Sequence, residues 1–311
     1  MILITGGTGF IGRVLIRHLK ALGHPVKILL RPTKKNPNLP LGIPFDVAVT
    51  SLDDQRGLQA ALKDVDVIYH LASAEYLGRK AKLSQVDVAG TQLLVNAALQ
   101  SGIKRFFYVS HLGTDMQSAY PLLKAKAIAE RIVKDSGLPY TIFKSAIVYG
   151  EHDHFTNGLA FLLKISPYFV MLPDDGSSLL QPIWVEDLAT ILTWALEMPD
   201  TNHRIIEIGG PELLSFKQIC ESVANKLEIN RQYINVPPIF LNILTELLEI
   251  FIPKFPTSVF WLDYLASNRT TQIDSVASNF DLLPVRLNQR INYLQSDFYR
   301  KNWFRNIIKR K

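Results

Sequence analysis

Four glycines fall within seven residues near the start of the chain: Gly6, Gly7, Gly9 and Gly12. The spacing Gly7-x-Gly9-x-x-Gly12 lets a backbone cradle a pyrophosphate. One glycine takes a sharp turn out of a strand. A second keeps a Cβ out of the path of the phosphates, and a third lets the following helix pack close to that strand. The helix then aims its unpaired N–H groups and the positive end of its dipole at the anion. Thr5, Gly6, Gly7, Thr8, Gly9, Phe10, Ile11 and Gly12 therefore form a candidate dinucleotide cradle, with two threonine hydroxyls as added donors.

Two further groups of residues bear on chemistry. Arg31 stands after the second predicted strand, where a site for NAD usually carries an acid for the ribose 2′-hydroxyl. With Arg13, Lys34 and Lys35 it makes a cationic rim suited to a 2′-phosphate, so NADP(H) is favoured over NAD(H). His152-x-His154 around Asp153 has the look of a metal site. One short loop with no further ligand cluster is a poor one, and no metal is expected.

The elements that must position the cradle follow from hydrophobic pattern. Ile2–Ile4 is a short, β-branched apolar run, read as a buried strand. Arg13–Leu22 has apolar residues at helical spacing and Gly23 ends it. Further strands are expected at Val26–Leu30, Phe45–Val49, Val65–Leu71, Arg105–Ser110 and Tyr140–Phe143. Helices are expected near Leu58, over Leu83–Gln100 and over Tyr120–Ser136. Strands alternate with helices and most are continuous apolar runs, so the fold class is α/β, a parallel sheet covered on both faces. Right-handed crossovers make it doubly wound.

Residues 1–150 are expected to form the dinucleotide-binding domain and 151–311 a smaller, mostly helical substrate or partner region, with 182–210 packing back on the sheet. In the latter, Asp187 is the expected N-cap of a helix to Leu196. Ser215 and Gln218 form a capping box, and an apolar helix runs from Pro237-Pro238 to Phe251. The tail from Leu287 to Lys311 has a helical pattern. Trp184, Trp194, Phe240, Phe251, Phe255, Phe260 and Trp261 are expected mainly as core, with some able to line an apolar pocket.

The chain has 311 residues, 48% hydrophobic and 20% charged, with a single cysteine, Cys220. That is enough for a large core, and it excludes an internal disulfide or a cysteine-based metal cage. The fingerprint strand begins at Met1 and no uninterrupted apolar run reaches transmembrane length, so the expectation is a cytoplasmic protein. Much of the net charge of +6 sits in Arg300, Lys301, Arg305, Lys309, Arg310 and Lys311. A solvated helix end explains this better than nucleic acid, which is not expected as a partner. The same tail carries Trp303, Phe304, Ile307 and Ile308. With the apolar helix to Phe251, it makes the C-terminal region a candidate for peripheral membrane or protein-complex contact.

Several stretches resemble the extended and atypical short-chain dehydrogenases/reductases, the NAD-dependent epimerase/dehydratase and NmrA-like proteins, over Met1 to about Gly210. Thr5 to Gly12 matches their glycine loop. Val67-Ile68-Tyr69-His70-Leu71-Ala72 resembles the fourth-strand motif beside the cofactor, which makes Leu71 and Ala72 cofactor-binding candidates. Val86-Asp87-Val88-Ala89-Gly90-Thr91 resembles N-V-x-G-T with Asp87 in place of asparagine. Thr141 to Gly150 resembles T-I-L-R-P-x-x-V-Y-G with Lys144-Ser145 replacing Arg-Pro. Val109-Ser110-His111-Leu112 is similar to the subgroup containing the Rossmann-fold accessory subunit of respiratory complex I and its bacterial relatives.

The resemblance implies a catalytic serine, tyrosine and lysine. The tyrosine exchanges a proton with the substrate, and the lysine four residues on holds the ribose and lowers the tyrosine pKa. Two registers are open. Ser110 with Tyr120 and Lys124 has the i, i+4 spacing, but Pro121 disfavours helical angles at Tyr120. Lys126-Ala127-Ile128-Ala129-Glu130 fits the family's K-A-x-A-E better, and it puts Leu122 where the tyrosine belongs. The expected function is an NADP(H)-dependent oxidoreductase or epimerase-like enzyme on a small, apolar or polar carbonyl or hydroxyl compound. The alternative is a dinucleotide-binding sensor or a structural or assembly subunit without turnover. A nucleic-acid-binding regulator, as among NmrA-like members, is the weakest of the three readings.

Overall fold

The computed structural model describes residues 1–33, 42, 44–251 and 259–295. Lys34 and Lys35, Phe255, and the basic aromatic tail from Arg300 to Lys311 lie outside them. The described chain forms two compact units. Of the described residues, one holds those in 1–77, 81–145 and 185–208, and the other those in 78–80, 146–184 and from 209 to 295.

The first unit is the parallel sheet. Its strands are β1 (Ile2–Thr5), β2 (Val26–Leu30), β3 (Asp46–Val49), β4 (Val67–His70), β5 (Arg105–His111), β6 (Tyr140–Ser145) and the strand Arg204–Ile208. The order runs from Arg204–Ile208 through β6, β5, β4, β1 and β2 to β3, and every pairing is parallel. This is the doubly wound sheet expected from the apolar runs. The order reverses between β1 and β4, and the crevice outside their carboxyl ends is where such sheets hold ligands.

The helices of this unit are α1 (Phe10–Ala21), α2 (Gln55–Ala61), α3 (Gly90–Gln100), α4 (Pro121–Lys134) and the helix Val185–Trp194. Leu15, Ile16 and Leu19 bury the inner face of α1, which Gly23 terminates at φ +79°. On the other side of the sheet, Leu94, Val95, Ala98, Ala129 and Val133 pack with Ile68, Phe106, Tyr108 and Ile142.

Two local expectations are corrected. The stretch Leu83–Gln100 is not one α-helix: Ser84–Ala89 is a wider π-turn that runs into α3. Asp87 sits in that turn, and its side chain and carbonyl both accept hydrogen bonds there. Asp187 is not an N-cap, because the helix already starts at Val185. It lies in the first turn, where an acid still complements the dipole. Of the tail, only the short helix Leu287–Arg290 and the turn Asn292–Gln295 are described.

The second unit has its own core, in which Leu159, Leu163, Leu172, Ile219, Cys220 and Val223 are buried. Helix Phe216–Lys226 begins with the capping box of Ser215 and Gln218. Phe260 is buried there, but Phe240 and Phe251 are 63% and 78% exposed. Helix Pro238–Phe251 buries only Leu241 and Thr245, so residues on its opposite side face outward; the expectation of core packing fails for Phe240 and Phe251 and for Trp194, which is 42% exposed. Among the described residues, no helix is long and apolar enough to cross a membrane.

Candidate functional site

The glycine loop joins β1 to α1. Gly6 has φ +72°, and a Cβ there would lie 2.7 Å from the Leu71 carbonyl carbon and 2.8 Å from the Ala72 nitrogen. Only glycine lets the loop touch the end of β4, so Leu71 and Ala72 come beside the cradle. A Cβ on Gly12 would fall 2.4 Å from the Gly6 oxygen and 2.8 Å from the Gly7 Cα, so Gly12 closes the turn against the helix. Thr8 and Gly9 are exposed. The first intrahelical bond runs from Arg13 N–H to the Gly9 carbonyl, which leaves the amides of Phe10, Ile11 and Gly12 without a partner inside the helix. A cradle closed to side chains, with three amides left unpaired within the helix, fits a dinucleotide pyrophosphate. Arg31 is exposed and its guanidinium donates to the Tyr76 hydroxyl.

Behind the loop lies a buried relay. Thr91 donates its hydroxyl to the Asp87 carbonyl (2.6 Å), so its oxygen must accept from His70 Nε2 (2.9 Å). The neutral ring then accepts at Nδ1 from the Thr5 hydroxyl (2.7 Å), and the Thr5 oxygen accepts from Ala72 N–H (3.3 Å). Burial, and then the charge of Lys126, lowers the His70 pKa to about 3. The relay therefore runs in one direction and ties the cradle to the π-turn.

Asp87 is fully buried. Its Oδ2 accepts from Ala74 N–H (3.0 Å), and its Oδ1 faces Lys126 Nζ at 3.3 Å, an ion pair without hydrogen-bond geometry. The Tyr108 hydroxyl beside them is buried and also lacks a hydrogen-bond partner. Lys126 is 4% exposed, with Nζ 5.6 Å from the centre of the Tyr108 ring. Burial opposes its charge, but the oxygens of Tyr108, Asp87 and Glu75 outweigh this and hold the ammonium above its ordinary range. Tyr108 is pushed up chiefly by burial and stays a neutral phenol.

A second network stands at the end of β5. Ser110, 1% exposed, donates its hydroxyl to Glu130 Oε1, as does Thr114 (2.6 Å), and Lys144 Nζ lies 3.2 Å from Glu130 Oε2. A serine has one proton to donate, and here Glu130 receives it.

Helix α4 decides what its lysines do. Tyr120 is its N-cap in an extended conformation, as Pro121 requires, and is half-buried. Lys124 and Lys126 are two residues apart, about 200° around a helix. Lys124 is exposed, whereas Lys126 lies on the buried side with Leu122, itself 2% exposed. Lys126 therefore meets Asp87 and Tyr108, and Lys124 does not. His111 pairs with Glu75 at 2.9 Å. Asp153 accepts from the backbone of Gly150 and Thr156 and from the Thr156 hydroxyl, so it organises a helix start. Among the described residues no group of three metal-ligating side chains gathers.

Sequence reasoning noted Asp87 and Lys144 only as departures from a motif and assigned nothing to His70, Thr91 or Glu130. Those departures were the available signal, since each exchanges the charge or shape of a residue that faces a partner.

A model of the NmrA-like family matches residues 1–279. NADH dehydrogenase (ubiquinone) 1 alpha subcomplex subunit 9 of Arabidopsis thaliana is 26% identical over 91% of this chain and 74% of its own length. Photosystem II assembly factor Ycf39 of Cyanophora paradoxa is 27% identical over 78% of this chain and 73% of its own. Among solved structures, the NADPH complex of the quinone oxidoreductase QOR2 of Escherichia coli superposes with a TM-score of 0.72. It is 17% identical, over 93% of this chain and 98% of that one, a likeness of fold.

Proposed function

The chain belongs to the NmrA-like family, and we propose that it binds a nicotinamide dinucleotide and serves a larger protein complex as a structural or assembly subunit, without turnover of its own. One observation carries this reading. The polar groups that would run proton chemistry are engaged elsewhere: the Ser110 proton goes to Glu130, Lys126 is buried against Asp87, and Leu122 occupies the tyrosine position of that register. The names of two relatives, a respiratory subunit and an assembly factor, point the same way. So does the outward face of helix Pro238–Phe251, where Ile239, Phe240, Ile243, Leu247, Ile250 and Phe251 are exposed. Such a stripe suits protein contact.

Of the two dinucleotides, NADP(H) is preferred over NAD(H), because exposed Arg31 is placed after β2 to meet a 2′-phosphate. Gly6 to Gly12 would hold the pyrophosphate, with Leu71 and Ala72 beside the adenosine; Thr5 is fully buried with its hydroxyl donated to His70, so of the two threonines only Thr8 is placed to add a donor. A bound nicotinamide supplies a hydride donor or acceptor. The oxidoreductase reading keeps one supporting feature, Tyr120 at the mouth of α4 with exposed Lys124 one turn on.

Fluorescence titration with NADPH and NADH, followed by assay of NADPH oxidation with carbonyl compounds and quinones, tests the proposal. Tight binding with no substrate-dependent oxidation is expected. Oxidation that depends on a substrate and disappears in Tyr120→Phe would refute it.

A further inference from the structure

The groups able to meet a dinucleotide are unevenly distributed. At the adenosine diphosphate end they are open: Thr8 and Gly9 are exposed, the amides of Phe10, Ile11 and Gly12 have no partner in α1, and Arg31 and Tyr76 are exposed. Where the lysine would hold the nicotinamide ribose they are closed. Lys126 is 4% exposed and Asp87 0%. Drawing the ammonium towards a ribose would strand the Asp87 carboxylate, whose Oδ1 already has no hydrogen-bond donor. The penalty for an uncompensated buried charge exceeds what one ammonium–hydroxyl bond returns. Ser110 likewise donates its one hydroxyl hydrogen bond to Glu130, and Leu122 has no donor to offer.

Resting on the reading of this site as a dinucleotide cradle, we propose that its ligand class is the ADP-ribosyl nucleotide: the adenosine diphosphate half supplies the affinity and the nicotinamide ring adds little. ADP-ribose and its 2′-phosphate would then occupy the site as well as the intact dinucleotides. In this arrangement Asp87 is a positioning residue that holds Lys126 in the interior.

Isothermal titration of the full chain with NADPH, NADP⁺ and 2′-phospho-ADP-ribose, and in parallel with NADH, NAD⁺ and ADP-ribose, tests this. Within each series, removing the nicotinamide is expected to change Kd by less than about threefold. A loss of about tenfold or more on removing it would overturn the proposal. Lys126→Met, if folded, is expected to bind NADPH within about threefold of the native chain, and a tenfold loss there counts equally against it. The native chain with truncated ligands gives the answer even if that variant does not fold. Failure of all six ligands to bind would instead overturn the dinucleotide reading itself, and this proposal with it.

Discussion

Asp87→Asn removes one charge from the buried pair and little else. The amide keeps the shape of the side chain and an oxygen for Ala74 N–H, 3.0 Å away. Lys126 Nζ, 3.3 Å from Asp87 Oδ1 and 4% exposed, loses its nearest carboxylate. Removing one member of a buried pair costs about 3–5 kcal/mol. Glu75 also acts on Lys126, so a loss near the lower end, about 3 kcal/mol, is expected. Lys126→Met strands Asp87 in turn and should cost a similar amount. The double variant buries no charge, so its loss should fall short of the sum of the singles by about 2 kcal/mol or more. Urea unfolding followed by circular dichroism measures this, with unchanged slopes required for the comparison. The Lys126 pKa is raised, so its contribution is complete below the ordinary value of 10.5 and is lost only as pH climbs through the folded value. The coupling should therefore be flat from about pH 6 to about pH 9. A native-like Asp87→Asn, or single losses that add to within about 0.5 kcal/mol, would refute the pairing.

Three further outcomes are expected. His70 is held neutral, with its pKa lowered from 6.5 to about 3. Its contribution is complete above 6.5 and is lost as pH falls towards the folded value, by up to about 1.4 kcal/mol per pH unit. His70→Gln should flatten that part of the acid limb, and identical slopes would count against the neutral relay. Gly12→Ala places a Cβ 2.4 Å from the Gly6 oxygen; it should abolish NADPH binding by fluorescence and destabilise the chain by about 1–3 kcal/mol, and retained affinity would contradict the closed turn. Tyr120→Phe should leave the NADPH and NADH dissociation constants unchanged in the same titration, since Tyr120 caps α4 through its backbone; a large shift would give its hydroxyl a ligand role.

What could be read from the residues alone was local. The turn at Gly6, the capping box at Ser215 and Gln218 and the break before Pro121 each rest on backbone angles or on contacts within one helical turn. Near neighbours in sequence impose these wherever the chain goes. The parallel sheet followed from apolar runs because a strand covered on both faces has no polar side to show. Helical geometry sets Lys124 and Lys126 about 200° apart. It could not say which of them was inside, since that depends on what α4 packs against.

Packing between distant segments decided the rest. Asp87 meets Lys126 across 39 positions and Ser110 meets Glu130 across 20, and neither pairing leaves a periodic trace. The π-turn at Ser84–Ala89 and the exposed Phe240 and Phe251 escaped the pattern for the same reason. From the sequence, the glycines, the apolar strands and Arg31 marked a place for a dinucleotide. Only the tertiary structure determined that the polar groups beyond it face one another, because a buried charge or hydroxyl is bound by whichever partner the fold brings within reach.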